Sequence, residues 1–426
     1  MGRIRSWIKS KADHPVLKNI LILVTGTTVS QAVAVVISIF TARLFSPDVF
    51  GQMAIYGAIT SVIAAIAALR YDMTVVLPES DDEARVIGRL ATRSVITVSI
   101  LTTVLAFVLK DVIIDVWGDE ELARWMPFAG LTVFLLAQVT LLQYWYNRKR
   151  SYKVIARNRV QQTVGSSGGQ LVFGLVGVRS MLGLLFGVMA GHLFAFFWMN
   201  SKAKEFREAP GPDAPTMRYV AAKHKKMPLL NLPNALVDAV RTNGIVMIIG
   251  TFALGLVGQF NLAWRVLEAP IGLINGAVQQ VFFRELADIK PGHMRPLIRI
   301  TIRKALLLSA IPFGLIYLLS PWLFTFIFGE QWDLAGDIAR ALTPWLALQL
   351  VTSPISTVFV VTSKQHWMLA FALVFAAAPL TWLVFSPLAF IDTLTVLGFM
   401  MAVLLVINLV MADRAGADFD SKAIEA

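Results

Sequence analysis

Long apolar runs alternate with short charged segments along nearly the whole chain, and this pattern predicts membrane-spanning helices. A spanning helix needs about 20 apolar residues, and uncharged runs of that order recur from residue 19 to residue 412. The ~10-residue apolar/polar alternation typical of outer-membrane barrels is missing, which makes the expected fold class an all-α membrane protein. The predicted spans are 19–42, 49–77, 94–109, 125–146, 160–178, 180–200, 227–253, 257–283, 305–328, 338–363, 365–385 and 388–412.

Composition excludes a soluble fold and offers little for cofactor chemistry. The chain is 57% hydrophobic and 15% charged, with a mean hydropathy of +0.68, so it cannot cover a water-facing surface of normal polarity. The apolar part of the first span is too long for a signal-peptide core, and we expect it to stay as an anchor. With no cysteine and five scattered histidines, we expect neither a metal site nor a bound cofactor.

The distribution of charge predicts the topology. Most of the 38 basic residues lie in every second connecting segment, and the positive-inside rule then places both termini and these segments in the cytoplasm. The same arrangement explains the net charge of +11, and we therefore expect no nucleic-acid binding. The run 242–264 could be a single span, but that interpretation would put a basic loop outside, so a hairpin turning near 255–258 is favoured.

An internal repeat predicts two related halves. Val49-Phe50-Gly51-Gln52-Met53 resembles Leu256-Val257-Gly258-Gln259-Phe260 at an offset of 207 positions, and both segments open an inward-running helix. The expected domains are a six-helix bundle over 1–200, a cytoplasmic linker over 201–226 and a second six-helix bundle over 227–426. Both bundles start inside, so the symmetry axis is expected along the membrane normal.

At these residues the chain resembles the polysaccharide transporter family, the flippases of lipid-linked oligosaccharides, within the exporter superfamily that includes multidrug and toxin extrusion (MATE) transporters. Two segments carry the likeness: Ala42 to Gly51, continuing through Leu69-Arg70-Tyr71-Asp72 to Pro78, and Val257 to Pro270, ending at Phe283. The resemblance implies two six-helix bundles with pseudo-two-fold symmetry, forming a V around a central cavity with alternating access. The two extra helices usual in lipid II flippases are not found.

Four ionisable residues fall near the middle of spans 7 and 8. Asp238 and Arg241 lie roughly 15 to 20 Å from the cytoplasmic edge, and Arg265 and Glu268 come to a similar depth. Each pair is spaced i,i+3 and shares one helix face, so Asp238 could pair with Arg265, or Arg241 with Glu268. A structural charge network and a cavity-facing role in binding pyrophosphate or relaying a proton both stay open.

Three further charged residues lie nearer the span ends. Arg70 and Asp72 are about 10 Å from the inner end of span 2, within reach of snorkelling, or they could capture a pyrophosphate from the inner leaflet. Arg340 lies near the outer end of span 10, and a local pair with Asp337 is the favoured interpretation. These residues complete the candidate binding or coupling set: Arg70, Asp72, Asp238, Arg241, Arg265, Glu268 and Arg340.

Small residues on spans 5 and 6 have two interpretations. Gly165 and Gly169 form a GxxxG pattern on span 5, and Gly183, Gly187 and Gly191 repeat the same spacing on span 6. Both patterns predict close helix packing. The run 165–169 also matches a nucleophile-elbow pattern, and Ser167 with His192 could form the dyad of an intramembrane serine protease. No strand precedes the motif and no clear acid would orient His192, so this is a remote alternative.

The resemblance implies that the chain moves a polyprenyl-diphosphate-linked oligosaccharide across the cytoplasmic membrane for surface polysaccharide biosynthesis, without being an enzyme. Membrane lipids, a coupling ion (H⁺ or Na⁺), and a polysaccharide polymerase with its export machinery are the other expected partners. The alternative is H⁺- or Na⁺-coupled efflux of small organic cations. Four deep arginines against three carboxylates favour the anionic substrate.

Overall fold

The computed structural model describes residues 15–268, 271, 289, 292–362 and 364–422, and the regular structure of this part of the chain is helical throughout. The elements up to the middle of the chain are α1 (Pro15–Leu44), α2 (Pro47–Ala67), α3 (Tyr71–Thr74), α4 (Asp81–Val108), α5 (Lys110–Trp117), α6 (Glu120–Trp125), α7 (Ala129–Arg148), α8 (Tyr152–Leu175) and α9 (Met181–Lys202). The remaining elements are α10 (Lys204–Arg207), α11 (Met217–Lys223), α12 (Leu232–Gly250), α13 (254–268), α14 (Met294–Phe328), α15 (Asp333–Thr352), α16 (Val358–Val361), α17 (Gln365–Phe385) and α18 (Phe390–Lys422).

Each predicted span corresponds to a helix in the described part of the chain, although the helices of spans 2 and 10 end at Ala67 and Thr352, before the predicted ends. Eight segments of the described chain are long and apolar enough to cross a membrane; they are Thr25–Leu44, Pro47–Ala67, Asp81–Val108, Glu120–Arg148, Met181–Lys202, Met294–Phe328, His366–Phe385 and Phe390–Ser421. Three more predicted spans are the long helices α8, α12 and α15, and the twelfth begins as α13. The rest of that span, including Pro270 and 280–283, lies outside the described residues.

Local sequence signals set the helix boundaries. Ser46 accepts a hydrogen bond from the Val49 amide at the start of α2, where Pro47 occupies the first turn, as expected of an N-cap followed by proline. Ser80 caps α4 in the same way, and Asp81, Asp82 and Glu83 place negative charge at the positive end of the helix dipole. Between predicted spans 7 and 8 the helix is interrupted at 251–253, a few residues before the predicted turn at 255–258.

By internal contacts the chain forms two compact units, one up to Leu254 and one from Gly255. In the first unit α12 packs on α2, where a side chain at Gly250 would collide with Ile55. In the second unit α15 packs between α14 and α18, and Ser320 donates to the Gly336 carbonyl at 2.9 Å. The domain boundaries predicted from the internal repeat, at residues 200 and 227, remain a prediction.

The close helix packing predicted at the glycines of spans 5 and 6 is confirmed, and the structure shows that the two helices pack against each other. A Cβ atom at Gly165 would lie 2.9 Å from the Gly191 Cα atom, and one at Gly169 would lie 2.7 Å from the Gly187 carbonyl oxygen. The helices α8 and α9 therefore approach to backbone contact, which any larger side chain at these positions would prevent.

In both units the glutamine of the repeated Gly-Gln motif forms hydrogen bonds at the start of another helix. Gln52 donates to the Asp119 carboxylate at 2.9 Å, at the start of α6. Gln259 donates to the Gln331 carbonyl at 2.6 Å and accepts from the Ala335 amide at 2.9 Å, at the start of α15. In each unit the motif thus fixes the beginning of the fourth helix of the predicted repeat, which supports the 207-residue offset.

The predicted linker is docked on the first unit. Glu208 pairs with Arg85 at 3.0 Å, and Lys223 pairs with Glu83 at 2.6 Å. Lys149 bridges Asp81 and Glu205 at 2.6 and 2.8 Å.

The bonds that Lys149 donates to these two carboxylates raise the pKa of its ammonium group. An aromatic anchor completes the docking, because the Phe206 ring lies 5.1 Å from the Trp145 ring, centroid to centroid, and fills the space that Gly88 leaves open. Residues 204–223 are therefore a packed part of the unit.

Candidate functional site

A sharp break after α2 positions the first candidate pair. Leu69 and Arg70 both have positive φ, at 49° and 62°, a conformation that is uncommon for residues other than glycine. The break ends α2 well before the predicted inner end of span 2 and starts the short helix α3, which carries Asp72. Two adjacent strained residues persist only when the surrounding structure holds them, and such strain is frequent at functional sites.

Asp72 is buried, contrary to the predicted snorkelling. Its exposed fraction is 5%, and its Oδ1 atom has no hydrogen-bond partner within the part of the chain that the structure describes. The guanidinium of Arg70 interacts electrostatically with this carboxyl group, and the Tyr144 side chain lies close enough to interact with both charged groups. Arg70 also has an unpartnered Nε atom. Together these side chains form a small polar site with unused hydrogen-bonding capacity.

Asp238 and Arg241 pair with each other on α12. The carboxylate and guanidinium are 2.6 Å apart, with 68% and 40% of the side chains exposed. The first half of α12 is largely exposed, whereas its second half is buried on α2. A charge facing acyl chains costs several kcal/mol, and the pairing of these two charges within one helix lowers that cost. The predicted pairings across spans 7 and 8 stay a prediction.

Arg265 and Glu268 lie on the exposed side of α13. Glu268 accepts a hydrogen bond from the Trp264 indole at 2.9 Å, whereas Arg265 forms no ion pair with any residue that the structure describes. Trp264 stacks on Phe260 with ring centroids 5.7 Å apart and meets the edge of Trp345 at 5.0 Å.

Trp345 is 4% exposed, and its indole Nε1 atom has no partner among the described residues. The aromatic group continues through Phe375, 6.2 Å from Trp345. The second unit thus places an arginine and a carboxylate beside an aromatic shelf made of Phe260, Trp264, Trp345 and Phe375.

Arg340 contacts a different partner from the one predicted. Its Nε atom donates to the Tyr317 carbonyl at 3.0 Å, and the expected pair with Asp337 is not formed among the described residues. Tyr317 is four residues before Pro321, which lies inside α14 and has no N–H to give. Arg340 therefore satisfies a carbonyl that proline leaves open, which the sequence pattern did not suggest.

Ser167 and His192 do not form the dyad of the remote protease alternative. The His192 ring is hydrogen-bonded to the Val188 carbonyl at 2.7 Å, and the serine that contacts α9 is Ser166, whose hydroxyl donates to the same carbonyl at 3.2 Å. One residue further along α8, Ser167 is rotated by about 100° from that contact. The small-residue run therefore serves packing.

The candidates predicted from the sequence do not include Tyr144, Trp264 and Trp345. Only Trp264 carried a usable signal, since it stands four residues before Glu268 on a helix and i,i+4 side chains are neighbours. Among the described residues, no group of three or more histidines and carboxylates could hold a metal ion.

The fold and the polar groups on its spans define a multi-pass α-helical membrane protein built on a transporter fold. The chain belongs to the polysaccharide biosynthesis protein family, whose model matches residues 40–336. No match is found among curated proteins.

Solved structures show the fold over nearly the full length. An inward-facing multidrug resistance MATE family transporter of the MOP superfamily is 14% identical, with a TM-score of 0.69 over 92% of this chain and 96% of that one. The lipid II flippase MurJ, in an inward closed conformation, is 11% identical, with a TM-score of 0.70 over 95% and 91%. A MOP superfamily transporter from Pyrococcus furiosus is 13% identical, with a TM-score of 0.52 over 94% and 96%.

Proposed function

We propose that this protein flips a polyprenyl-diphosphate-linked oligosaccharide from the inner to the outer leaflet of the cytoplasmic membrane by alternating access. Membership of the polysaccharide biosynthesis family and the fold shared with MurJ support a lipid-linked substrate. The sugar and pyrophosphate would cross along polar faces of the helices while the polyprenyl tail stays in the bilayer. Both termini would be cytoplasmic.

The proposal rests on Arg265, an exposed arginine that has no ion-pair partner in the described part of the chain. The carboxylate of Asp238 is 2.6 Å from Arg241 and largely compensates its charge, and Arg340 is held by a backbone carbonyl. Arg265 is exposed and forms no ion pair with the described part of the chain, so it is the cation best placed to receive a pyrophosphate. A guanidinium binds such an oxyanion through two parallel hydrogen bonds.

The aromatic shelf beside Arg265 supports a sugar substrate. Trp264 and Phe375 are the partly exposed rings of this shelf, and Phe260 and Trp345 are its buried members. Aromatic side chains combine an apolar face with a polar edge, which suits the apolar face and the hydroxyl groups of a pyranose. Glu268, fixed by Trp264, would accept hydrogen bonds from sugar hydroxyls.

Asp72 is the proposed coupling residue for H⁺. Its carboxyl group is 5% exposed and has one oxygen without a hydrogen-bond partner in the described structure, an arrangement in which protonation and deprotonation change the local interactions strongly. The same carboxylate is the observation that keeps cation efflux as a second candidate function, since an organic cation could also use it.

Deletion of the gene tests the two candidates against each other. If the protein is a flippase, the deletion strain should lose surface polysaccharide and accumulate unpolymerised lipid-linked repeat units on the cytoplasmic side. The wild-type gene should reverse both effects. Efflux predicts increased sensitivity to cationic dyes with normal surface polysaccharide, and this outcome would reject the flippase proposal. Neighbouring genes for glycosyltransferases and a polymerase would identify the partners.

A further inference from the structure

A mainly apolar cavity with a basic rim lies in the first unit, away from the residues assigned to the pathway. Its volume is about 510 Å³, and it is an open cleft lined by α4, α7, α9 and the docked linker. Arg89, Arg93 and Arg207 lie around it, and its apolar walls include Phe134, Leu142 and Phe196. None of these residues belongs to the candidate set for transport.

The three arginines give this cavity a positive rim. Arg89 and Arg93 are spaced i,i+4 and share one face of α4, at the predicted boundary between the cytoplasm and span 3. Arg93 and Arg207 form no ion pair with any described residue, and Arg89 donates only to the Glu208 backbone carbonyl at 3.2 Å. The carboxylate of Glu208 is already bound to Arg85. The rim charge is therefore uncompensated by nearby acidic side chains.

The cavity continues from this rim into the apolar interior. Gln138, on its wall, stands ten residues before Arg148 at the end of α7, which corresponds to about 15 Å of helix. Its side chain is 5% exposed, and its Nε2 atom has no partner in the described structure. One turn deeper, Phe134 and Phe196 meet edge to face at 5.6 Å. The cavity thus has basic residues at its mouth and apolar walls inside, and the unpartnered amide group of Gln138 lies between the two.

We propose that this cavity binds an anionic phospholipid of the inner leaflet, with the phosphate at the three arginines and an ester carbonyl accepting from Gln138. Clusters of basic side chains between spanning helices on the cytoplasmic side suit such head groups. A buried amide donor without a partner is unfavourable, and an ester oxygen would satisfy it. Because Phe206 and Arg207 belong to the docked linker, the bound lipid also stabilises the linker against α4. The inference does not depend on the transported substrate.

Thermal unfolding of the delipidated full chain in neutral detergent tests the proposal. Phosphatidylglycerol at about 100 times its dissociation constant should raise the melting temperature by roughly 4 °C relative to phosphatidylcholine. The triple variant Arg89→Gln, Arg93→Gln, Arg207→Gln should lose most of this increase. The matched control is Lys202→Gln, Lys204→Gln, Arg218→Gln, which removes three exposed charges from the same end of the unit and should keep the increase.

Gln138→Leu separates binding from folding. The variant removes the unsatisfied amide, so its melting temperature in phosphatidylcholine should not fall, whereas its response to phosphatidylglycerol should weaken. Equal loss in the rim and control triples would overturn the proposal, as would an equal response to phosphatidylcholine. If inorganic phosphate alone reproduces the increase at millimolar concentration, the cavity is a free-anion site and the lipid assignment is wrong.

Discussion

The bond between Arg340 and the Tyr317 carbonyl predicts a specific energetic coupling. In the wild type, Arg340→Gln leaves that carbonyl without its partner, because Pro321 supplies no N–H. Loss of a hydrogen bond to a charged donor, with a polar group left unsatisfied in an apolar environment, costs about 1 to 3 kcal/mol. In a Pro321→Ala background, the new amide N–H returns to the Tyr317 carbonyl, so Arg340→Gln should cost little.

The four proteins of this double-mutant cycle can be compared by thermal unfolding in detergent. We expect Arg340→Gln to lower the melting temperature by about 1 to 3 °C in the wild type and by a small fraction of that with Ala at position 321. Arg303→Gln, at an exposed arginine of α14, is the control and should have little effect in either background. Equal losses of stability from Arg340→Gln in both backgrounds would refute the structural role. Loss of transport without loss of stability would instead indicate that Arg340 contacts the substrate.

Two further predictions concern packing and the repeat. Gly187→Leu should abolish accumulation of folded protein in membranes, because its side chain would enter the backbone of α8, whereas Gly168→Leu, with open space around its Cβ position, should be tolerated; fluorescence-detected size-exclusion chromatography compares the two. Gln259→Ala should lower the free energy of unfolding by about 1 to 3 kcal/mol through loss of both bonds that fix the start of α15. A stability equal to that of the wild type would contradict this role.

The helical layout follows from hydropathy because a spanning segment must satisfy its own backbone and face lipid, so its length and composition are both constrained. The positions of the described spans and the close packing at the glycines of α8 and α9 could therefore be predicted, whereas the pairing of these two helices with each other could not. The repeat was also visible as a short match, although the hydrogen-bonding task of Gln52 and Gln259 was not.

Partners of individual side chains could not be predicted in the same way. Arg340 bonds to a carbonyl 23 positions earlier in the chain, a contact that depends on how α14 and α15 pack. Asp72 is buried because the chain breaks at Leu69 and Arg70 in a backbone conformation that neither residue type favours. The 201–226 segment has the composition of a solvated linker, yet Phe206 and its paired charges dock it on α4 and α7. Such contacts depend on tertiary packing, which local patterns do not encode.

The most direct test of the central claim is reconstituted flipping. Purified protein in liposomes is given a fluorescent polyprenyl-diphosphate oligosaccharide, and the fraction reached by a membrane-impermeant quencher is followed over time. Wild type and Arg303→Gln should flip the lipid at similar rates, Arg265→Lys should retain part of the activity, and Arg265→Gln should be slowed at least about tenfold, as expected for loss of roughly 1.4 kcal/mol or more of transition-state stabilisation. Flipping by Arg265→Gln at the wild-type rate, or wild-type transport of an organic cation with no movement of the lipid, would contradict the account.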